Sequence, residues 1–307
     1  VKPPIVIVGA GPTGVTLSLL LVRRQIPVLL IEASHNFQRV FRGEGLMPSG
    51  FDALEKMDLL HLLDDVPQKP LAGWEFCIEN QSIFRVAEPI SPNLRSCTLV
   101  SQPAFLAAAL KELQTYDNFD FLAGTGVRDL IWQDSRVAGV RLADEKEIPA
   151  TLIIGADGRN STIRQKANLT LHRNTSKFDV LWFKIADSPT LPQDNIFYAF
   201  LRNRDGFAMF RSAEGNLQIG WTLHPDDPID WKNIDWVEKL AAASPPWLAE
   251  HFRTTGKTLE RPILLSVVVG LCEKWSLPGL LLLGDAAHPM SPIRAQGINV
   301  ALGDVLV

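Results

Sequence analysis

A glycine turn set between an apolar strand and a helix constrains this chain more than any other stretch. Residues 5–14 read "IVIVGAGPTG", and the run continues as "GVTLSLLLVRR" from Gly14. The first segment is β-rich and apolar at every position, which suits a strand buried on both faces. The second carries leucines at helical spacing and ends in arginines, which favour the negative end of a helix. Between them Gly9, Gly11 and Gly14 form a G-x-G-x-x-G pattern, with Pro12 and Thr13 inside it. Gly9 permits the sharp turn, Gly11 lets a pyrophosphate approach the backbone, and Gly14 lets helix and strand pack closely. Free N–H groups at the helix start meet the phosphate charge. "IPVLLIEAS" is then a second strand. It carries Glu32 about twenty residues beyond the glycines, where an acid can hydrogen-bond a ribose. Strand, helix and strand in this order predict a parallel α/β sheet that binds a dinucleotide, without choosing between NAD and FAD.

At 307 residues there is ample chain for one large domain or two intermeshed ones. A net charge of −4 gives no long-range attraction to nucleic acid or to an anionic membrane. Cys77, Cys97 and Cys272 are odd in number and far apart, with neither metal-ligand spacing nor a disulfide framework. They read as small buried side chains in a reducing compartment, and the expected location is cytoplasmic. No signal peptide and no apolar run long enough to span a bilayer is read. The lack of an initial Met and the end inside "ALGDVLV" suggest a trimmed chain. No serine elbow, zinc spacing or Walker loop is present, so scattered Ser, His and Asp residues are not read as a triad.

The texture alternates along the chain. "WEFCIENQSIFRVAE" reads as two strands turning around Asn80 and Gln81, and "TLVSQPAFLAAALKEL" returns to strand and helix, with Pro103 near the helix start. "TLIIGADGRNSTIR" is an apolar strand ending in a glycine turn. "FYAFLRNRDGFAMFRSAEGNLQIGWTL" reads as three antiparallel strands separated by "RDG" and "EGN". "WKNIDWVEKLAAA" is a helix broken by "SPPW", and the final leucines resume the parallel-sheet texture. The expected architecture is α/β and discontinuous. A Rossmann-like nucleotide-binding domain is built from 1–72, 98–166 and 271–307, and an inserted antiparallel β-sheet domain from 73–97 and 167–270.

Two further motifs matter beside "GAGPTG". "GADGRNSTIR" places Asp157 and Gly158 at the end of an apolar strand, and "LLLGDAAHPMSPIRAQGIN" places Gly284 and Asp285 likewise. Together the three resemble the fingerprints of the FAD-dependent aromatic hydroxylases, the p-hydroxybenzoate hydroxylase-like class A flavoprotein monooxygenases. The likeness runs through the whole chain in order and spacing, although the segments of the inserted sheet match only in texture. It implies FAD as cofactor and NAD(P)H as co-substrate. It also implies that Asp285 bonds a ribityl hydroxyl, and that Asp157 and Gly158 serve FAD and NAD(P)H binding. Arg159 and Arg164 become candidates for the pyridine nucleotide's phosphates, although Arg159 reads first as a solvated surface residue and Arg164 reads equally either way. Arg42 in "FRGEGLMPSG" matches the family's arginine near the flavin, with Gly43 and Gly45 giving mobility, and Gln102 matches a cofactor contact. The loop from Pro292 to Gly297 would lie beside the flavin ring and lead into a helix through Ile298 and Asn299. The positive end of that helix would stabilise reduced flavin. Arg42, Pro292 and Gly297 thus form the expected ring environment. His288 reads as a structural hydrogen-bonding residue at the edge of the site. Ala295 departs from the family, which often carries glycine before Gln296.

The family's chemistry implies a hydroxylation. NAD(P)H reduces FAD, dioxygen adds to give a flavin hydroperoxide, and one oxygen passes to an electron-rich, phenol-like ring. The expected partners are therefore a small aromatic substrate and dioxygen, with no nucleic acid and no metal. Phe207, Met209 and Arg211 alternate on one strand, and Gln218, Gly220 and Thr222 on another. Either set would line the substrate or pack the core. Two alternatives stay open: a flavoenzyme of the same fold with reductase or halogenase chemistry, and a truncated FAD-binding module without catalysis.

Overall fold

Strands that are largely apolar fold into a sheet covered on both faces, and five such runs supply the first sheet. The computed structural model describes residues 2–36, 45–174, 178–224, 230–292 and 295–307. The chain forms two compact units, one of 1–66, 102–175 and 268–307 and the other of 67–101 and 176–267. The sequence reading set the seams at 72, 98, 166 and 271.

In the first unit the strands are β1 (Ile5–Val8), β2 (Val28–Glu32), β3 (Phe119–Ala123), β4 (Leu152–Gly155) and β5 (Leu280–Leu282). They lie in the order β5-β4-β1-β2-β3, all parallel, with the short strand Ser276–Leu277 antiparallel at the β5 edge. Val6, Ile7, Leu30 and Ile153 are fully buried along its middle. The helices are α1 (Pro12–Val22), α2 (Pro48–Lys56), α3 (Gln102–Leu113), α4 (Thr162–Lys166) and α5 (Gln296–Leu306). None of the described helices is long and apolar enough to cross a membrane.

Register gathers the motifs. Val8 of β1 pairs with Gly155 of β4, and Gly155 pairs with Leu282 of β5. Three neighbouring parallel strands therefore end level, and each runs directly into a glycine turn. In open α/β sheets ligands bind outside the carboxyl ends of the strands. Between β3 and β4 the chain also builds a three-stranded antiparallel sheet, Val127–Gln133, Arg136–Leu142 and Glu147–Pro149, not anticipated from sequence.

The second unit holds a seven-stranded sheet in the order Ile263–Leu265, Asp179–Ile185, Leu217–Leu223, Asp205–Arg211, Ile196–Arg202, Gly73–Ile78, Gln81–Ala87. Neighbours are antiparallel except Ile196–Arg202 and Gly73–Ile78, which run parallel. Two turns differ from the sequence reading. Glu79 and Asn80 make the first, both with positive φ, so Gln81 already belongs to a strand. Asn203, with φ of 55°, and Arg204 make the second, which moves Asp205 and Gly206 of "RDG" into the next strand. Asparagine tolerates the left-handed conformation a two-residue hairpin requires, so glycine is not needed there.

One face of this sheet carries Leu181, Phe183, Phe207, Met209, Ile219 and Trp221 into a core shared with Trp236, Leu240, Leu248 and Phe252 of the helices Trp236–Ala242 and Pro246–Thr255. Side chains alternate along a strand, so the opposite face holds a row of rings. Trp74 lies 4.8 Å from Phe197, Phe197 stacks on Phe210 at 5.6 Å, and Phe210 meets Trp182 edge-on at 6.2 Å. Gly220, the cross-strand partner of Ala208, lies beneath the Trp182 ring, which a Cβ there would meet at 3.5 Å.

Candidate functional site

The turn after β1 is built by close backbone approach. Gly9 has φ of 104°, and a Cβ there would stand 2.3 Å from the Ala156 carbonyl oxygen, in the turn after β4. A Cβ on Gly14 would stand 1.9 Å from the Gly9 carbonyl oxygen, so α1 packs on β1 only because residue 14 is glycine. Gly11 is different, for a Cβ there would meet nothing within 4 Å. Its backbone faces open space at the start of α1, where Pro12 occupies the first turn and no side chain caps the helix. Thr13 is buried beside it. Glu32, at the end of β2, is also buried; its carboxylate accepts the Ala10 N–H at 2.9 Å and the Ser34 N–H at 2.8 Å. Those bonds aim the acid back at the glycine turn.

The turn after β4 is more structural than its motif implied. Asp157 accepts the Ser161 hydroxyl at 2.5 Å and the Ile163 N–H at 3.0 Å, capping α4. Burial pushes its carboxyl up despite those bonds. Gly158, with φ of 81°, faces open space. Arg164 is 3% exposed; Nη1 donates to the Ala286 carbonyl and Nη2 to the Arg159 carbonyl, both at 2.8 Å. Arg164, expected to meet the phosphates of NAD(P)H, here engages its guanidinium with backbone carbonyls out of solvent. It ties the turn after β4 to the turn after β5.

That third turn begins at Gly284, with φ of 58°, and a Cβ there would stand 2.7 Å from the Thr13 hydroxyl of α1. Asp285 follows. Its carboxylate has no hydrogen-bond partner among the described residues, and burial pushes its pKa up against the opposing charges of Arg159 and His288. A Cβ on Gly297 would meet one atom within 4 Å, Asp285 Oδ1 at 3.9 Å, so the first turn of α5 lies beside the carboxylate. Ile298 is partly buried there. Pro292 accepts the Ala295 N–H at 3.0 Å, and Ala295 itself has φ of 48°. The side chain of Asn299 is engaged within the protein: Nδ2 donates to the carbonyls of Gly45 and Ala295, and Oδ1 accepts the Met47 N–H. His288 is the buried hydrogen-bonding residue expected, bonded to Asp304 at 2.6 Å. The sequence reading passed over Asp304. The signal for it was a lone charge in the apolar run "GINVALGDVLV".

Gln102 opens α3, partly exposed. Arg42 and Gly43 lie outside the described residues, so the structure bears on neither. Gly9, Pro12, Thr13, Gly14, Glu32, Asp157, Gly158, Gly284, Asp285 and Gly297 all belong to four adjacent strand ends, those of β5, β4, β1 and β2, or to the first turn of α5.

The match to known proteins follows the same lines. The family model described as "FAD binding domain" matches residues 2–307. The chain belongs to this family of class A flavoprotein monooxygenases. It is 31% identical to 6-methylpretetramide 4-monooxygenase of Streptomyces rimosus, over 98% of this chain and 72% of that protein. It is 24% identical to squalene monooxygenase of Rattus norvegicus, over 99% of this chain and 54% of that protein, so it spans about half of that relative's length. Pseudomonas aeruginosa PqsL, solved with 2-aminobenzoylacetate, shares the fold, with a TM-score of 0.85 at 18% identity over 99% of this chain and 84% of that one.

FAD is the cofactor of the family, and NAD(P)H the reductant typical of its monooxygenases. The residues present fit FAD. Gly11 leaves space at an uncapped helix start, and Asp285 is a partly buried acceptor that lacks a donor among the described residues. In the second unit Phe207 and Met209 are core residues under the helices. Arg211 is 6% exposed; it donates Nε to Asp187 at 2.5 Å and Nη1 to the Asp194 carbonyl at 3.0 Å, which removes it from the candidate substrate contacts. Gln218, Gly220 and Thr222 lie on the opposite face, level with the ring row.

Proposed function

We propose that this flavoprotein monooxygenase hydroxylates a small aromatic, phenol-like molecule, using NAD(P)H and dioxygen. The observation that carries the reading is Asp285, a partly buried carboxylate with no donor among the described residues, beside the first turn of α5. A carboxylate so desolvated is costly unless a hydrogen-bonding group meets it, and a hydroxyl of the FAD sugar-alcohol chain is such a group.

Bound FAD, reduced by NAD(P)H, supplies the activation of dioxygen; the chain supplies placement and electrostatics. The N–H groups opening α1 receive the diphosphate, and Gly11 lets it approach. Glu32 accepts a ribose hydroxyl. Asp157 and Gly158 shape the turn after β4, while Gly284 sets Asp285 toward the sugar alcohol. Gly297 and Ile298 present backbone N–H groups at the positive end of α5, which stabilises negative charge on the ring's edge. By the family likeness Arg42 and Pro292 would join Gly297 in the ring environment, and Gln102 would contact the cofactor.

Recognition of the substrate is assigned to the second unit, the first holding the cofactor. The row Trp74, Phe197, Phe210 and Trp182 favours a flat ring by stacking and edge contacts. Trp182 also has a buried Nε1–H without a partner among the described residues, a donor suited to a phenolic or carbonyl oxygen. All three cysteines are unpaired and buried, which supports a reducing, cytoplasmic setting.

The test is a panel of phenols and heteroaromatics added to the FAD-loaded protein, following NAD(P)H consumption and product mass together. A substrate that triggers NAD(P)H oxidation and gains one oxygen atom is expected. Consumption that never exceeds background with any member, in a folded yellow protein, overturns the proposal.

A further inference from the structure

Asp304 is the lone charged residue of α5, in the run QGINVALGDVL. It sits in the last turn, where the helix dipole disfavours an anion. Its bonds explain the placement. One oxygen, Oδ2, accepts the Gly284 N–H at 2.9 Å and is bonded to His288 Nε2 at 2.6 Å. Both side chains are buried, His288 at 9% and Asp304 at 12% exposure. Gly284 immediately precedes Asp285. The N–H groups of Ala287 and His288 both return to the Gly284 carbonyl at 2.9 Å, closing the turn on itself. A single carboxylate oxygen therefore holds the entry and the exit of the turn that carries Asp285. The other end of the same helix brings Gly297 against Asp285.

We propose that Asp304 is a positioning residue of the cofactor site: through Gly284 and His288 it fixes Asp285 against the first turn of α5, and this hold loosens when His288 loses its proton. The proposal rests on the reading of Asp285 as a ligand of FAD.

The charges around His288 support the second half. Burial opposes the charged ring, but the hydrogen bond and negative charge of Asp304 outweigh it and raise the His288 pKa, with Asp285 adding to the effect. From α4, Arg164 reaches the Ala286 carbonyl between them, and the Cys272 thiol bonds that same carbonyl at 3.8 Å. Arg159 acts on Asp285. Trp275 packs on the imidazole at 5.0 Å and brings no charge. Nδ1 has no partner among the described residues, although the histidine's own backbone favours its proton. Because the folded pKa is raised, the charge-assisted bond is present on the acid side and is lost as pH rises through the titration.

The experiment measures the FAD dissociation constant of the flavin-stripped full chain by flavin fluorescence, from about pH 6 to about pH 8.5. Wild type is expected to bind more weakly as pH rises. Asp304→Asn, which keeps an acceptor but no charge, is expected to weaken binding about tenfold at the acid end and to flatten the profile. His288→Gln can still donate to Asp304; it is expected to weaken binding less and also to flatten the profile. A wild-type constant and profile in Asp304→Asn, or a wild-type profile in His288→Gln, overturns the proposal. Melting of each apoprotein identifies a variant that has not folded. Should Asp304→Asn be one, His288→Gln decides alone. Asp285→Ala is run in parallel. If it binds FAD as wild type does, the reading of the site fails and this proposal with it. If it loses FAD while Asp304→Asn does not, only the positioning role fails.

Discussion

Arg164 Nη1 donates to the carbonyl oxygen of Ala286 at 2.8 Å, across 122 residues of sequence. Through Nη2 and the Arg159 carbonyl, the same guanidinium holds the turn after β4 as well. Replacing it with methionine would fill the space but take the donor from the Arg159 carbonyl and leave the Ala286 carbonyl only the weak Cys272 thiol. Leaving buried polar groups unpaired costs about 1–3 kcal/mol each, so Arg164→Met is expected to destabilise the chain by about 2–4 kcal/mol in urea unfolding. Arg164→Lys should recover only part, because an ammonium lacks the fork that spans two acceptors. Wild-type stability in Arg164→Met would show that the tether is incidental.

Asp285 should trade stability for binding. Its pKa is raised by burial, so the folded chain holds that proton more tightly than the unfolded chain does. The sign follows: the group favours folding at low pH, and that contribution is lost as pH rises through the raised pKa. At neutral pH the apoprotein carries the cost of a partly desolvated charge, which Asp285→Asn removes. The variant is expected to melt higher than wild type without FAD at pH 7. It is also expected to bind FAD about tenfold or more weakly, since a hydrogen bond to a charged acceptor is worth about 1.5–3 kcal/mol. Thermal melts of the apoprotein together with FAD titrations check both halves. An apoprotein that melts lower than wild type would contradict the burial argument.

Some of this was legible in the sequence and some was not, for physical reasons. Gly9, Gly14 and Glu32 declare themselves because the turn, the helix and the second strand are contiguous, and each period is local. That the turns after β4 and β5 join them followed only from the family likeness, since Val8, Gly155 and Leu282 are brought level by parallel pairing over long separations. The tethers were hidden for the same reason. Asn299 meets the Gly45 carbonyl across 254 residues, and no local pattern announces such a bond. In the second unit the alternation of Phe207, Met209 and Arg211 was visible as a strand. Which face the helices Trp236–Ala242 and Pro246–Thr255 would cover was not, because period two gives two faces without ranking them.

Gly11 and Gly14 should separate binding from folding. A Cβ on Gly11 meets nothing within 4 Å, whereas one on Gly14 stands 1.9 Å from the Gly9 carbonyl oxygen. Gly11→Ala is expected to leave the apoprotein within about 0.5 kcal/mol of wild type, the usual range for a substitution that touches nothing. It should still impair FAD binding, because the methyl occupies the space the diphosphate needs. Gly14→Ala is expected to lose at least about 3 kcal/mol, since a backbone clash forces helix and strand apart. Equal losses of stability in the two variants would defeat this division of labour.

Ala295 stands where φ is 48° and ψ is 32°, immediately before α5. An L-residue in that left-handed region carries about 1–2 kcal/mol of steric cost that glycine does not. Glycine gives some of the advantage back through the greater freedom of the unfolded chain. Ala295→Gly is therefore expected to raise stability by about 0.5–1 kcal/mol in urea unfolding. The bond from Asn299 Nδ2 to the carbonyl of residue 295 uses backbone alone and should survive the change. If the glycine variant is instead less stable than wild type, relief of left-handed strain is not what governs this position, and the stiffness of the loop before α5 would have to come from its prolines.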